Sequence, residues 1–123
     1  MFTEKDLVCS YSTKQAIEDG FLILIHPSVS KPLGINYPVL LTSAVYDKEV
    51  LHDNTSKSHT INYRVSEIIA WYKRHVQAEQ PKTQTVLFWV PVLKTNVQLK
   101  AIVNAFDFDD PSPAIFIMYP NED

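Results

Sequence analysis

Three apolar runs in the last third of the chain constrain its fold more than any other feature. They occupy residues 85–93, 97–106 and 114–120, and short turn-forming segments separate them. Runs of this length and composition predict strands, and short connections join neighbouring strands antiparallel. Pro91 has no amide proton, so its position must face a sheet edge or a bulge. The pattern therefore predicts an antiparallel sheet built mainly from the C-terminal half.

The N-terminal half predicts a short helix followed by a strand. Ser12 and Gln15 have the spacing of a capping box, in which each side chain bonds the other residue's amide. Gly20 suits the left-handed conformation just past a helix end, so we expect a helix over residues 13–19. Residues 21–25 are all apolar, which indicates a strand covered on both faces or at an inner position of the sheet.

Two further helices are expected in the middle of the chain. Residues 26–38 contain three prolines and a glycine and predict a loop. Thr42 is a candidate N-cap for a helix whose apolar residues recur at helical intervals as far as Val50. Residues 52–60 are wholly polar and predict an exposed loop. The strongest helical periodicity spans residues 62–80.

These elements together predict one α+β domain over residues 1–123. We expect a mainly antiparallel sheet of about four strands, with about three helices packed on one of its faces. A chain of 123 residues can bury a hydrophobic core without disulfides. Cys9 is the only cysteine, so no internal disulfide can form, which fits a reducing cytosol.

Charge and hydropathy exclude several classes of function. The net charge is -3 and there is no basic run, whereas a protein that binds duplex nucleic acid usually presents cations to the phosphates. The N-terminus has no basic segment followed by an apolar run, so no signal peptide is expected. No stretch approaches the ~20 apolar residues of a membrane span. We therefore expect a cytoplasmic protein that binds neither membranes nor duplex nucleic acid.

Histidines supply the main candidates for catalysis. His26-Pro27-Ser28 has the H-x-S form of two-histidine phosphoesterases, which need a second histidine as acid or base. His59 is the other candidate, although its hydroxyl residue, Thr60, comes one position early. The four histidines lack the spacing of a zinc site, and no cofactor is expected. A small phosphoesterase that uses His26 and His59 is therefore one alternative to a protein without catalytic residues.

Carboxylates cluster in the segment that precedes the last strand. Asp107, Asp109 and Asp110 supply oxygen atoms of the kind that bind divalent cations. The spacing of a calcium loop is absent, however, and aspartate before proline commonly forms turns. We therefore expect these residues to shape a turn and predict no metal site.

Aromatic and basic residues supply the candidates for binding. Trp71 lies beside the main apolar stripe of the long helix, where it either caps the edge of the core or anchors a partner. Tyr46 and Tyr63 pose the same choice. Aromatic rings next to cations would also suit stacking on a nucleotide base. The candidate residues for a partner or ligand are Trp71, Tyr46, Tyr63, Arg64, Arg74, His52 and His59.

Two segments of the chain resemble a family of small proteins of unknown function found in bacteria, plasmids and phages. Residues 11–22, YSTKQAIEDGFL, carry the family's opening tyrosine, Gln-Ala pair, Asp-Gly pair and apolar strand. Residues 37–46 resemble its Pro-Val, Leu-Thr and Val-Trp pattern, with Tyr46 in place of the usual tryptophan. The helix over 68–76 and the ending 118–123 also fit. The middle of the chain departs, because many members carry a longer acidic or arginine-rich segment there.

The resemblance implies a function class but transfers no active site. Small proteins of mobile elements often act as counter-defence factors, so it implies a non-enzymatic protein that inhibits a host immune complex, such as a CRISPR effector, by direct binding. The alternative is a homo-oligomer that sequesters a small nucleotide signal. In that case aromatic residues, arginines and histidines would line a pocket between subunits.

Overall fold

A single sheet organises the chain. The computed structural model describes residues 12–51, 57–79, 85–92 and 95–122. These residues form one five-stranded sheet in the order β1-β2-β5-β4-β3, together with four α-helices. The strands are β1 (Leu22–Leu24), β2 (Val39–Thr42), β3 (Thr85–Val92), β4 (Thr95–Asp107) and β5 (Asp110–Met118).

The sheet is mainly antiparallel, as the sequence predicts, but it contains one strand more than expected. β1 pairs antiparallel with β2, and β3, β4 and β5 form an antiparallel meander. The additional strand is β2, which pairs parallel with β5 through Val39 opposite Ile115 and Leu41 opposite Ile117. Its first three residues directly precede Thr42, which is both the last residue of β2 and the N-cap of α3, so the apolar pattern of the strand merges with that of the following helix.

The helices differ from expectation mainly in the first half of the chain. They are α1 (Thr13–Glu18), α2 (Pro27–Ser30), α3 (Ser43–Val45) and α4 (Ser58–Glu79). A 3-10 turn (Lys31–Leu33) follows α2, and a π-helical turn (Tyr46–Val50) follows α3. The unexpected helix is α2, which lies in the segment predicted as a loop. Proline is tolerated at a first helical position, so Pro27 starts this helix instead of preventing it.

The long helix begins earlier than its apolar periodicity indicates. The prediction places it over residues 62–80, whereas α4 starts at Ser58 and ends at Glu79. The end of the polar segment predicted as a loop is therefore helical, and His59 lies in the first turn of α4. Exposed polar residues can occupy a first helical turn without adding to the apolar stripe, which explains the error.

The main core lies between α4 and one face of the sheet. Phe88 is 1% exposed, and its ring meets Tyr72 of α4 edge to face, with 5.6 Å between centroids. Leu99 and Ala101 lie on the same face, opposite Phe88 and Val86 of β3. The alternation of buried and exposed residues along β3 places its apolar side chains against the helix, as the period of two predicts.

The opposite face of the sheet carries α1, so the helices do not all pack on one face as predicted. Leu40, Phe116 and Ile102 lie side by side on this second face. Thr13 of α1 borders a cavity with Ile102 and Phe116, while Leu40 is fully buried. The register of β2 decides this arrangement, because it brings β1 and the attached α1 to the sheet.

β1 is an edge strand and is not covered on both faces. It pairs with β2, stands at one end of the strand order, and leaves Leu24 exposed. The expectation of an inner strand was therefore wrong. A continuous apolar run is also compatible with an edge strand that a helix leads into. Here the chain turns at Gly20, whose φ is +82°, between the end of α1 and the start of β1.

The ends of α1 confirm the local predictions and add a distant contact. Ser12 accepts a hydrogen bond from the Gln15 amide at 3.0 Å, as the capping box requires. Asp107 of β4 accepts bonds from the amides of Thr13, at 3.3 Å, and Lys14, at 3.0 Å. A carboxylate at this position complements the helix dipole and binds amides that have no partner within the helix.

Replacing Asp107 with asparagine is expected to lower the melting temperature by a few degrees at neutral pH. Burial opposes ionisation of this carboxyl, but bonds from the amides of Lys14, Phe108 and Thr13 hold its pKa below the ordinary value. Its stabilising contribution is fully present above the unfolded pKa of about 3.9 and is lost as pH falls through the lower folded pKa. Thermal melts of wild type and D107N should therefore converge at acidic pH.

D109N is the matched control for this prediction. Asp109 forms an ion pair with Lys14 at 3.0 Å, but both side chains are more than half exposed, and such pairs contribute little to stability. D109N should therefore melt like the wild type at every pH. Equal losses in D109N and D107N would show that general charge, and not the cap on α1, is responsible.

Two features are absent from the described residues, a membrane-spanning helix and a cluster of metal ligands. Within these residues, no helix combines the length and hydropathy needed to cross a bilayer. The same part of the chain contains no group of three or more histidine, cysteine, aspartate or glutamate residues placed to hold a metal ion. Asp107 instead uses its carboxylate oxygens to bind amides of α1 and of Phe108.

Candidate functional site

Exposed apolar side chains line the second face of the sheet near its β3 edge. Leu87 and Trp89 of β3 point away from α4 and are 47% and 57% exposed. Their cross-strand partners are Lys100 and Gln98, so both lie on the face that carries Ile102. Phe108, in the turn between β4 and β5, is 67% exposed.

We call the apolar side chains on this side of the sheet the open-face patch. It consists of Leu87, Trp89, Ile102, Phe108 and Phe116. Ile102, Phe108 and Phe116 border a cavity of about 400 Å³ beside α1. Ile102 lies between Phe116 of β5 and Thr85 of β3 in the cross-strand register. Thr85 is two residues before Leu87, so the two side chains point to the same face of the sheet. The patch therefore extends across β5, β4 and β3, and edge strand β3 forms one border.

A second cavity lies between the π-helical turn, α4 and β3, on the side of the sheet that carries the core. Its volume is about 360 Å³. Charged and aromatic residues line it from the two helical elements, and apolar residues of β3 form the opposite wall. We call it the Glu49 cavity; its lining residues include Glu49, Tyr63, Arg64, Glu67, Ile68, Val90 and Val92.

Glu49 is the most buried charged residue of this cavity. It is 7% exposed, and its carboxylate accepts a hydrogen bond from the hydroxyl of Tyr119. Burial and the Glu49 carboxylate both raise the pKa of Tyr119 above its usual range. The Tyr119 backbone is held in turn by Glu122, which accepts from its amide at 2.8 Å. The buried Glu49 carboxylate is therefore positioned by Tyr119, the residue that directly follows strand β5.

Two of the binding residues predicted from sequence reach this cavity. Tyr63 is 65% exposed and, like Arg64, lies on its α4 wall. The Arg64 guanidinium donates to the carbonyl oxygen of Val50 at 2.6 Å. Arg64 thus joins α4 to the end of the π-helical turn, and its charge stands beside those of Glu49 and Glu67.

Three other candidates take mainly packing positions. Trp71 and Tyr46 are half-buried and pack against the main core. The Arg74 guanidinium stacks over the Trp71 ring, 4.8 Å from its centroid. Between the two possibilities that the sequence left open for Trp71 and Tyr46, their burial favours packing at the edge of the core.

His26, the first histidine of the candidate phosphoesterase pair, forms the cap of a helix. His26 Nδ1 accepts from the Ser28 amide at 3.1 Å and lies 2.9 Å from the Ser28 hydroxyl, so the H-x-S motif is the N-terminal cap of α2. His59 shares an open groove with Ser28 and Tyr63. His52 lies outside the described residues.

Sequence reasoning missed the two most informative residues, Trp89 and Glu49. The alternation along β3 contained the signal for Trp89. This residue is two positions from Leu87 and one from the buried Phe88, so its side chain points to the same exposed face as Leu87. For Glu49 the signal was weaker: it follows Val45 by four residues, a spacing that places two residues on one helical face. Its burial depends on Tyr119, which is distant in sequence, and a glutamate within a helical segment ordinarily faces solvent.

Comparison of the chain with models of protein families, with curated proteins and with solved structures found no match.

Proposed function

We propose that this protein acts without catalysis, by binding another protein through the open-face patch. The observation that carries the proposal is the exposure of Trp89 and Leu87 on one face of an edge strand. Single exposed apolar residues are common, but contiguous apolar surface typically marks an interaction site. Tryptophan is also among the residues that contribute most to binding energy at protein interfaces.

The partner we propose is a component of a host defence complex, such as a CRISPR effector, in the bacterial cytoplasm. This choice rests on the resemblance of residues 11–22 and 37–46 to small phage and plasmid proteins. The patch suits a partner with a complementary apolar surface, since Leu87, Trp89 and Phe108 offer aromatic and aliphatic contacts. Lys100 lies next to Leu87 on the same face, and its ammonium donates to the carbonyl oxygen of Glu122.

The alternatives receive less support from the geometry. A nucleotide in the Glu49 cavity would bring its phosphates towards Glu49 and Glu67, and like charges disfavour binding. Arg74, the other arginine proposed for the nucleotide, stacks instead on Trp71. A phosphoesterase would need His26 and His59 to face each other across a bound phosphate, and the H-x-S motif that suggested this function is the N-terminal cap of α2.

Substitution of Trp89 by alanine is expected to weaken partner binding at least about tenfold, which is the size of a hot-spot effect. The full chain is expressed in bacteria that carry an active CRISPR system, and phage plating is measured with and without it. Binding to the purified effector is then measured by titration. Wild type should restore plating and bind, and W89A should do neither at the same concentration.

Y37A is the matched control, because Tyr37 is an exposed aromatic residue outside the patch. It should behave as the wild type in both assays. Melting curves of both variants should match the wild type, since neither ring is buried. Full activity of W89A, or an equal loss in Y37A, would contradict the assignment of the patch. Absence of any effect of the wild type in hosts of several defence types would contradict the counter-defence role.

A further inference from the structure

The Glu49 cavity has the dimensions of a site for a small ligand or a single side chain. It measures about 360 Å³, within the lower range of ligand pockets. Three separate elements form it, so its shape depends on the folded chain and not on one loop. Glu49 comes from the π-helical turn, Tyr63 and Glu67 come from α4, and Val90 and Val92 come from β3.

The carboxylate of Glu49 has one oxygen that no described residue binds. Tyr119 donates to Oε2, and the described residues provide no hydrogen bond to Oε1. Glu49 is 7% exposed and lines the cavity, so Oε1 is a candidate acceptor for a ligand. A buried charge of this kind is stabilised by a counter-charge.

The other lining residues determine the sign and shape of the ligand. Glu67 adds a second carboxylate, whereas Arg64 supplies one cation, which donates to the Val50 carbonyl. The described residues of the lining therefore carry a net negative charge. The Tyr63 ring offers an aromatic surface of the kind that attracts cations. Val90 supplies part of an apolar wall that suits an alkyl chain.

We propose that the Glu49 cavity binds an organic cation that consists of a guanidinium or ammonium head and a short alkyl stem. The head donates to Oε1 of Glu49 and to the carboxylate of Glu67, and the stem lies along Val90 and the Tyr63 ring. An organic cation fits better than a metal ion, because Val90 and Tyr63 give the lining an apolar and an aromatic wall, and the described residues contain no group of three or more metal-ligating side chains placed to hold an ion. The site is separate from the open-face patch, so it does not depend on the proposed function.

Butylguanidinium and butylurea form a matched pair of probes, because they have nearly the same shape and differ in charge. The full chain, labelled with ¹⁵N, is titrated with each probe, and amide shifts are followed by NMR. We expect butylguanidinium to shift the amides of Glu49, Glu67 and Val90 in a saturable manner, and butylurea to bind at least about tenfold more weakly. Equal binding of the two probes, or no saturable binding of either, would overturn the proposal.

Three variants locate the charge that matters. E67Q and E49Q should each weaken butylguanidinium binding about tenfold or more, since each removes a charge-assisted hydrogen bond. E18Q, which changes an exposed residue of α1, should bind as the wild type. Glu67 is half-buried, so E67Q tests the proposal even where E49Q disturbs the fold. Unchanged affinity in E67Q and E49Q would refute it.

A second titration identifies the source of the cation. The probe is a blocked tripeptide, acetyl-Gly-Arg-Gly-amide, compared with free butylguanidinium. Tighter binding of the peptide indicates that the cavity receives an arginine side chain of a protein, because flanking backbone then adds contacts. Tighter binding of the free cation indicates a small-molecule amine or guanidine. Failure of both cations to bind contradicts the site itself.

Discussion

Replacement of Phe88 by alanine lowers the free energy of unfolding by about 3–5 kcal/mol, the usual cost of removing a buried aromatic ring. Phe88 is 1% exposed and lies in the main core. Its ring also meets Tyr72 at an interplanar angle of 67°, an edge-to-face contact that adds to the loss. The cavity left behind separates β3 from α4, which is the principal helix of the core.

Urea unfolding followed by circular dichroism measures this effect, and F108A is the matched control. The same substitution at Phe108 removes a ring that is 67% exposed, so the free energy of unfolding should change by less than about 0.5 kcal/mol. A change of similar size at both positions would contradict the position of the core between α4 and β3. The comparison also tests the face assignment of the open-face patch, because Phe108 belongs to it.

Replacement of Tyr119 by phenylalanine lowers the free energy of unfolding by about 1–3 kcal/mol at neutral pH, because it leaves a buried acceptor without its donor. The hydroxyl of Tyr119 donates to Glu49, whose carboxylate is almost fully buried. Among the described residues, Glu49 is the hydrogen-bond partner of this hydroxyl. Unfolding by urea near pH 7 measures the loss.

The same variant has a distinct dependence on alkaline pH. Burial, and then the bond and charge of Glu49, raise the pKa of Tyr119 in the folded state. A raised pKa means that the stabilising contribution is complete below the unfolded tyrosine pKa of about 10 and is lost as pH rises above it. The stability difference between wild type and Y119F should therefore narrow above about pH 10.

Y37F is the control for the alkaline series, since Tyr37 is exposed. Its stability should follow the wild type from neutral to alkaline pH. A difference between wild type and Y119F that stays constant with pH would show that the Tyr119 hydroxyl does not depend on Glu49. A loss in Y37F as large as that in Y119F would show that the effect is general to tyrosines.

Predictions that depended on neighbouring residues were confirmed. The structure shows the bond from the Gln15 amide to Ser12, which is one half of the predicted capping box, as well as the turn at Gly20 and the N-cap role of Thr42. The placement of Pro91 on an edge strand also follows from its missing amide proton. In each case one residue's backbone geometry or one local hydrogen bond decides the outcome, and the neighbouring sequence contains both partners.

Predictions that depended on distant pairing were incomplete. β2 was missed because its apolar run is short and lies directly before Thr42, and only its pairing with β5 identifies it as a strand. The position of α1 on the second face follows from that pairing. The candidate site divides in the same way. Trp89 could have been found from strand alternation, whereas the burial of Glu49 required knowledge of Tyr119.

The sequence by itself determined the α+β class, the three C-terminal strands, the long helix and the ends of α1. These follow from side-chain periodicity and from hydrogen bonds between near neighbours. Only the tertiary structure decided that β2 lies inside the sheet, that helices cover both faces, and that Glu49 is enclosed beside Glu67. Those outcomes depend on contacts between residues that are far apart in the chain. The stability that such contacts contribute cannot be inferred from a local pattern of residues.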